Sequence, residues 1–417
     1  ILANDPHLAP SMPGIWYQVG LHCRTVSKEC PYDVAGFSFS GMPGVVIGHN
    51  NRIAWGVTTM YADVADLYLE KVTGDTYEYD GKQVPLETRR ETFKVAGGKT
   101  KHITVRSTRH GPILSDLDDD LDAVGTSKTK GVPRSKYEVA LRWSALTPRP
   151  TIKAVFALDT AQNWDDFREA AKLFTVPSQN LVYADVDGNI GYQSPGAIPI
   201  RNKGDGRWPV PGWTSEYEWG DSIPFEALPS VYNPKEGFIV TANNKVIGDQ
   251  YPALLGEDTA DGYRSQRIRD LIQAKPKLSV ADMARIQMDT YNPNAAQLVP
   301  KLLDITLDSR YYRQGQATLN KWDYKQTADS SAAAYCNVVW RNVLKLTFGD
   351  ELPKGQGPEG GERWFNVVGR ILEKPGSDWW DDVTTIGRTE SRDDILAEAM
   401  RMARDLRFGT VWVNDHI

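Results

Sequence analysis

Apolar and polar positions change their spacing about two-thirds of the way along the chain. Before that point, apolar residues come in short runs or in alternation, the period of strands. Val45-Val46-Ile47 leads into His49-Asn50-Asn51, and Ile53 to Val57 resumes, which predicts a hairpin whose Asn-Asn turn takes positive φ. Asp66 to Val72 alternates, and Thr92–Val95 and His102–Ser107 share that character. Asp116–Asp122 is a dense acidic run that reads as an exposed loop, as does Thr126–Lys136. The strand pattern breaks over 161–174. There Asn163-Trp164-Asp165-Asp166 opens like a capped helix, and Trp164, Phe167, Ala170, Ala171 and Phe174 fall at helical spacing. Strands return at Leu181–Asp185 and Asn189–Gln193 about an Asp187-Gly188 turn, and the Pro-, Gly- and Trp-rich stretch 195–236 reads as ordered loops.

From Tyr263 onward the period becomes helical. Arg264–Gln273, Ser279–Asp289, Asn294–Asp304, Gln314–Trp322, Ser331–Leu346, Arg363–Glu373 and Asp393–Leu406 all space their apolar residues by three and four. Ser279-Val280-Ala281-Asp282 has the form of a capping box, with Asp in place of the usual Glu. No internal repeat is visible. The pattern predicts an α+β protein, with a β-rich body over 1–262 and a helical segment over 263–417.

At 417 residues the chain can bury a large core, and 41% hydrophobic with 24% charged residues is ordinary for a globular protein. A net charge of −6, with no run of five or more Lys/Arg, leaves no electrostatic footprint for nucleic acid. No apolar run nears the roughly 18 residues that span a membrane. The 13 Trp and 18 Tyr fill a core or line an acyl or aromatic pocket. Cys23 and Cys30 either close a small loop, if the compartment is oxidising, or remain free thiols. Cys336 sits in an apolar helical run and reads as core.

Four stretches carry residues able to do chemistry. Asn4-Asp5-Pro6-His7-Leu8 holds His7, whose imidazole can position or accept a proton near neutral pH, although a lone histidine is often structural. Gly44–Thr59 runs through Gly48-His49-Asn50 and Ile53-Ala54-Trp55-Gly56, where His49 reads as a turn or packing residue. In Gly237–Asn244, an apolar strand leads straight into Thr241-Ala242-Asn243-Asn244. A side-chain amide there offers an N–H donor that does not titrate, whereas an arbitrary Asn-Asn is a turn. Asp63-Val64-Ala65-Asp66 places two carboxylates around a carbonyl, a set that suits a hard cation such as Ca²⁺. Look-alikes fail: Asp185-Val186-Asp187-Gly188-Asn189 has its Gly at the wrong place for an EF-hand, Ser38 lacks the second Gly of a nucleophile elbow, and His22-Cys23 has no partner at zinc spacing.

In this order the blocks resemble the penicillin acylase (penicillin amidase) family of N-terminal nucleophile amidohydrolases. The resemblance extends over nearly the whole chain, through His110-Gly111-Pro112-Ile113, Ala140-Leu141-Arg142-Trp143, Tyr183–Tyr192 and Pro209-Val210-Pro211-Gly212. It implies an αββα sandwich with the helical segment as an embellishment, and a fragment whose remaining core lies beyond both ends. It implies hydrolysis of a linear amide, such as the side-chain acyl group of a penicillin or cephalosporin or an N-acyl homoserine lactone. The nucleophile would be an N-terminal Ser upstream of Ile1, freed when a precursor cleaves itself into a small and a large chain that stay together. His7 matches the histidine-bearing members and is implied to orient that serine. The backbone N–H of Thr59 and the side chain of Asn243 match the donors to the oxyanion. Arg264 matches an arginine implied to hold the site's hydrogen bonds or the substrate's polar end. Asp63, Ala65 (through its carbonyl) and Asp66 match ligands of a structural calcium, and a periplasmic or secreted location goes with the family. The alternative from another class is a non-catalytic, calcium-stabilised binding protein on the same scaffold. A conventional Ser-His-Asp hydrolase would need the elbow motif that is missing.

Overall fold

A computed structural model of the chain describes residues 1–9, 11–126, 136–353 and 355–406. Two compact units emerge, one formed by Leu2 and Ile15–Thr259, the other by Ile1, Ala3–Gly14 and the residues from Ala260 on. The extreme N-terminal stretch thus belongs with the helical residues, whereas the alternating pattern alone groups it with the β-rich body.

The first unit is built on a seven-stranded antiparallel sheet. Its spatial order is β1 (Trp16–His22), β2 (Asp33–Phe39), β3 (Ile47–Asn50), β4 (Ile53–Thr59), then Gln179–Asp185, Ile190–Gln193 and Ser230–Tyr232. Helices Thr151–Thr160 and Trp164–Leu173 pack on it, burying Leu158, Phe167 and Ala170 with Val34, Ile53, Trp55 and Leu181. Each large side chain buried this way contributes about 1.5–3 kcal/mol. Asn163 caps the second helix by accepting from Asp166 N, as its sequence suggests. The first helix has no sequence counterpart above, because Ile152, Val155, Phe156 and Leu158 spread apolar residues around its circumference and blur the 3.6 period.

The β3–β4 hairpin forms where expected, but its turn does not use positive φ at Asn50 or Asn51. Instead Asn50 Oδ1 accepts from Arg52 N and Ile53 N, both at 2.9 Å, and its Nδ2 donates to Ala161 O at 2.7 Å. The side chain thus replaces the turn conformation and ties the hairpin to the helix layer. Gly36 pairs with Gly48 across β2 and β3. A Cβ on Gly36 would lie 2.1 Å from Ile47 O, so only glycine permits this approach. Cys23 and Cys30 form a disulfide, with Cα atoms 5.9 Å apart, across the loop joining β1 to β2.

A second sheet places Ala65–Glu70 between Glu138–Trp143 (antiparallel) and Val210–Pro211 (parallel), around the buried Tyr68, Ile113 and Ala140. The acidic run is not a loop throughout, since Asp119–Gly125 is a helix. Asp118 caps it, accepting from Leu121 N at 2.9 Å, and acidic residues in a first turn complement the helix dipole. Thr126 and Lys136 bridge antiparallel, while the rest of that predicted loop lies outside the described residues. The stretch 195–236 carries short strands as well as loops, among them Pro199–Arg201 paired with Trp219–Ser222.

The second unit contains, among the described residues, seven α-helices: Tyr263–Gln273, Val280–Gln287, Pro293–Leu303, Arg310–Ala317, Ser331–Phe348, Glu362–Leu372 and Arg392–Asp405. Leu298, Leu302, Val339, Val343, Leu396 and Met400 make its core. Ser279 and Asp282 form the expected capping box, and Ser391 with Asp394 forms another. The fourth helix starts earlier than its apolar spacing suggests, because Ser309 caps it at Tyr312 N. Cys336 is buried there, and burial pushes its thiol up to about 12, so it is an inert core residue.

Candidate active site

Thr59 is the last residue of β4 and pairs with Gln179 of the neighbouring strand. Beyond it the chain must leave the sheet, and it does so through Tyr61, a bulky residue at φ +55. Asn243 approaches from a separate loop. Its backbone sits at φ +65, a left-handed conformation that asparagine tolerates better than most residues. From there its Nδ2 donates to Thr59 O at 2.8 Å. A second bond fixes the same two segments, as Thr58 Oγ1 donates to Thr241 Oγ1 at 2.9 Å. Ala242 N donates to Asn244 Oδ1 at 3.1 Å, so Asn244 shapes the turn that presents Asn243. The two residues matched to oxyanion donors, 184 positions apart, are therefore held against each other.

His7 and Arg264 belong to the other unit. The stretch around His7 is fastened there by Gln287 Nε2, which donates to Asn4 O at 3.3 Å. Arg264 lies in the first turn of the helix Tyr263–Gln273, whose N-cap Gly262 sits at φ +87, and its Nε donates to Glu362 Oε1 at 2.7 Å.

The sequence profile described as penicillin amidase matches residues 1–408. The chain belongs to the penicillin amidase family. Among its relatives, a penicillin acylase 2 proenzyme of Pseudomonas sp. is 31% identical over 100% of this chain and 52% of its own length. An acyl-homoserine lactone acylase QuiP of Pseudomonas aeruginosa is 31% identical over 97% of this chain and 49% of its own. The Escherichia coli penicillin G acylase is 31% identical over 90% and 43%. The chain thus spans about half the length of the curated relatives it matches. A solved structure of a thermostable penicillin G acylase from Alcaligenes faecalis superimposes with a TM-score of 0.71 at 23% identity, covering 95% of this chain and 74% of that one. The α+β fold is accordingly that of the N-terminal nucleophile hydrolases.

The acidic pair Asp63 and Asp66 already contacts a cation from the chain itself. Arg201, with its side chain 4% exposed, donates from Nε to Asp66 Oδ2 at 2.9 Å. Its Nη2 reaches Asp66 Oδ1 and Asp63 Oδ1 at 3.0 Å and Asp63 O at 3.3 Å. Trp219 Nε1 also donates to Asp66 Oδ2. Burial and the neighbouring Asp66 charge raise the pKa of Asp63, against the pull of Arg201. Calcium takes six to eight oxygens. Three of the four carboxylate oxygens here already accept from a guanidinium, so Asp63, Ala65 and Asp66 as arranged do not fit the calcium site that the resemblance implies.

Sequence reading gave no role to Asn180, Thr58, Tyr192 and Thr241, the polar residues packed around Thr59 and Asn243. Asn180 is fully buried at the start of a strand, where the polar run Ser178-Gln179-Asn180 reads as the end of a loop. A cavity of about 340 Å³ adjoins the pair along the chain. Met60 and Tyr61, which follow Thr59, line it together with Lys245 and Val246, which follow Asn244, and with Leu254 and Leu255.

A second polar cluster lies in the other sheet. His110 is buried, stacks on Tyr68 at 3.8 Å, and bonds Glu70 through Nδ1 at 2.6 Å and Glu218 through Nε2 at 3.1 Å. Burial lowers the histidine pKa, but the hydrogen bonds of Glu218 and Glu70 outweigh it and the net shift is upward. Burial raises that of Glu218, but His110 and Arg142 bring it down to about 2. The cluster is structural, a charge set that pins three segments together.

Proposed function

We propose that the protein is an amidohydrolase that transfers the acyl group of a linear amide to water through an acyl-enzyme. The observation that carries this reading is the bond from Asn243 Nδ2 to Thr59 O at 2.8 Å. It fixes a non-titrating amide donor beside the backbone N–H at the end of β4. Two such donors suit the oxygen of a tetrahedral intermediate, which develops charge only during reaction. Relatives named as acylases support the same reading.

In this account an N-terminal serine, released by self-cleavage of a precursor, attacks the amide carbon through its Oγ. Its own α-amine, with a pKa of about 8, takes the hydroxyl proton and then passes it to the departing amine. Water then hydrolyses the ester. Thr59 N–H and Asn243 Nδ2 stabilise the oxyanion in both halves. His7 orients the serine, and Arg264, its direction set by Glu362, organises the polar end of the substrate. The apolar wall of Met60, Val246, Leu254 and Leu255 suits an acyl chain. The substrate is the side-chain amide of a penicillin or cephalosporin, or an N-acyl homoserine lactone. The Cys23–Cys30 disulfide favours an oxidising compartment, periplasmic or secreted.

Incubating the purified full-length gene product with these three amide classes, while assaying the free amine, tests the reading. Release of amine and acid in equal amounts from at least one class is expected. Release from none would overturn it.

A further inference from the structure

The donor pair rests on a third residue to which no role attaches in the reading above. Asn180 is buried, with no exposed surface, in the strand Gln179–Asp185 next to β4. Its Nδ2 lies 3.0 Å from Thr58 Oγ1 and 3.3 Å from Thr59 O, donating to both. Its Oδ1 accepts from Tyr192 OH at 2.7 Å. Tyr192 stands on the next strand, Ile190–Gln193, so the carboxamide is held from behind by a rigid, buried phenol.

These contacts bracket one group. The Thr58 side chain lies before the N–H of Thr59 and the Thr59 carbonyl lies after it, and Asn180 grips both. The same two atoms meet the Asn243 loop, since Thr58 Oγ1 donates to Thr241 Oγ1 and Thr59 O accepts from Asn243 Nδ2. Asn180 therefore fixes the backbone dihedrals on each side of one oxyanion donor and the seat of the other. An asparagine suits this place, because a buried carboxylate would face two acceptors and a buried apolar residue would leave both without this donor.

We infer that Asn180, backed by Tyr192, is a positioning residue that sets the geometry of the Thr59–Asn243 oxyanion donors. This rests on the acyl-transfer reading for its catalytic consequence, though not for its structural content. Donors aimed at a transition state lose their effect when they move by a fraction of their bond length, and a misplacement of about 1 Å costs on the order of 10²-fold. Ground-state binding depends on the pocket and is little affected.

The test uses the full-length gene product with Asn180→Ala and, as a milder change, Tyr192→Phe. For Asn180→Ala, kcat is expected to fall on the order of 10²-fold with KM close to wild type. Tyr192→Phe should lower kcat less, in the same direction. Amide hydrogen exchange should quicken at 58–60 and 241–244 in both variants, while the 185–189 turn keeps its wild-type protection. Exchange unchanged at both segments overturns the inference, and so does a loss expressed in KM with kcat retained. Should Asn180→Ala fail to fold, Tyr192→Phe decides by the same readouts. If the wild-type protein hydrolyses no amide, the acyl-transfer reading fails by itself, and exchange at the two segments still decides the role of Asn180.

Discussion

Asn243 shows how a single residue combines conformation and chemistry. At φ +65 most side chains are strained, so asparagine suits the turn, and in the proposed mechanism its amide is also the donor. Replacing it with alanine mixes these effects, whereas glycine keeps the conformation and removes only the amide. Both Asn243→Gly and Asn243→Ala should lower kcat by about 10²–10³-fold, with the glycine variant retaining the thermal stability of wild type. Steady-state kinetics beside a melting curve would check this, and wild-type kcat in the glycine variant would remove Asn243 from the site. His110 yields a pH dependence instead. Both ring nitrogens face carboxylates, an arrangement that favours the imidazolium because a neutral ring donates only once. The folded state holds that proton more tightly than the unfolded chain. Its stabilisation is therefore complete below the ordinary value of 6.5 and is lost as pH rises through the raised value. Glu218, lowered from 4.5 to about 2, contributes above 4.5 and loses its share as pH falls toward 2. Melting temperature should therefore decline on the alkaline side in wild type, and this part of the decline should vanish in His110→Gln. Identical alkaline limbs would contradict the assignment. Thr59 and Asn243 stood out in the sequence only through the order of their motifs. Asn180 and Arg201 did not, because a buried polar residue in a strand carries no periodic signature until its partners are known.

Elements defined by period and caps were read well, and those defined by context were not. The β3–β4 hairpin, the Asp187-Gly188 turn and the capping box at Ser279 each carry a local signal. The helix Thr151–Thr160 and the strands β1 and β2 do not, since the sheet they pack against or join supplies what their own pattern lacks. The acidic run read as a loop because charge density suggests solvation, yet three aspartates in a first turn also stabilise a helix start. The loop between β4 and Ala65–Glu70 is the sharpest case. Asp63 in it and Asp66 at the start of the next strand look like cation ligands in sequence, and the cation that answers them, Arg201, comes from the distant strand Pro199–Arg201. Arg201→Met should destabilise the protein by about 3 kcal/mol or more, because it leaves two part-buried carboxylates without their partner. Chelation with EDTA should leave the melting temperature unchanged. A clear fall on chelation, reversed by Ca²⁺, would restore the metal and displace this account of the loop.

At the scale of the whole molecule, composition and charge excluded nucleic-acid binding by any basic footprint, and no described helix is long and apolar enough to cross a membrane. The α+β class was visible from the change of period near Tyr263, because strands and helices impose different spacings on any chain. The division into units was less so, since the partition of residues 3–14 depends on packing rather than on local pattern. Membership of the penicillin amidase family extends over residues 1–408, while the relatives run to about twice this length. The central claim, an acyl-enzyme formed through an oxyanion held by Thr59 and Asn243, is therefore a claim about the full-length product. Its most direct test is to mix that product with an activated acyl ester, quench within the first turnover, and weigh the intact chains. The account predicts one chain heavier by the mass of one acyl group, with the adduct on its first residue, and much less adduct in Asn243→Gly. Ester or amide turnover without any covalent adduct, or an adduct that forms equally fast in Asn243→Gly, would contradict it.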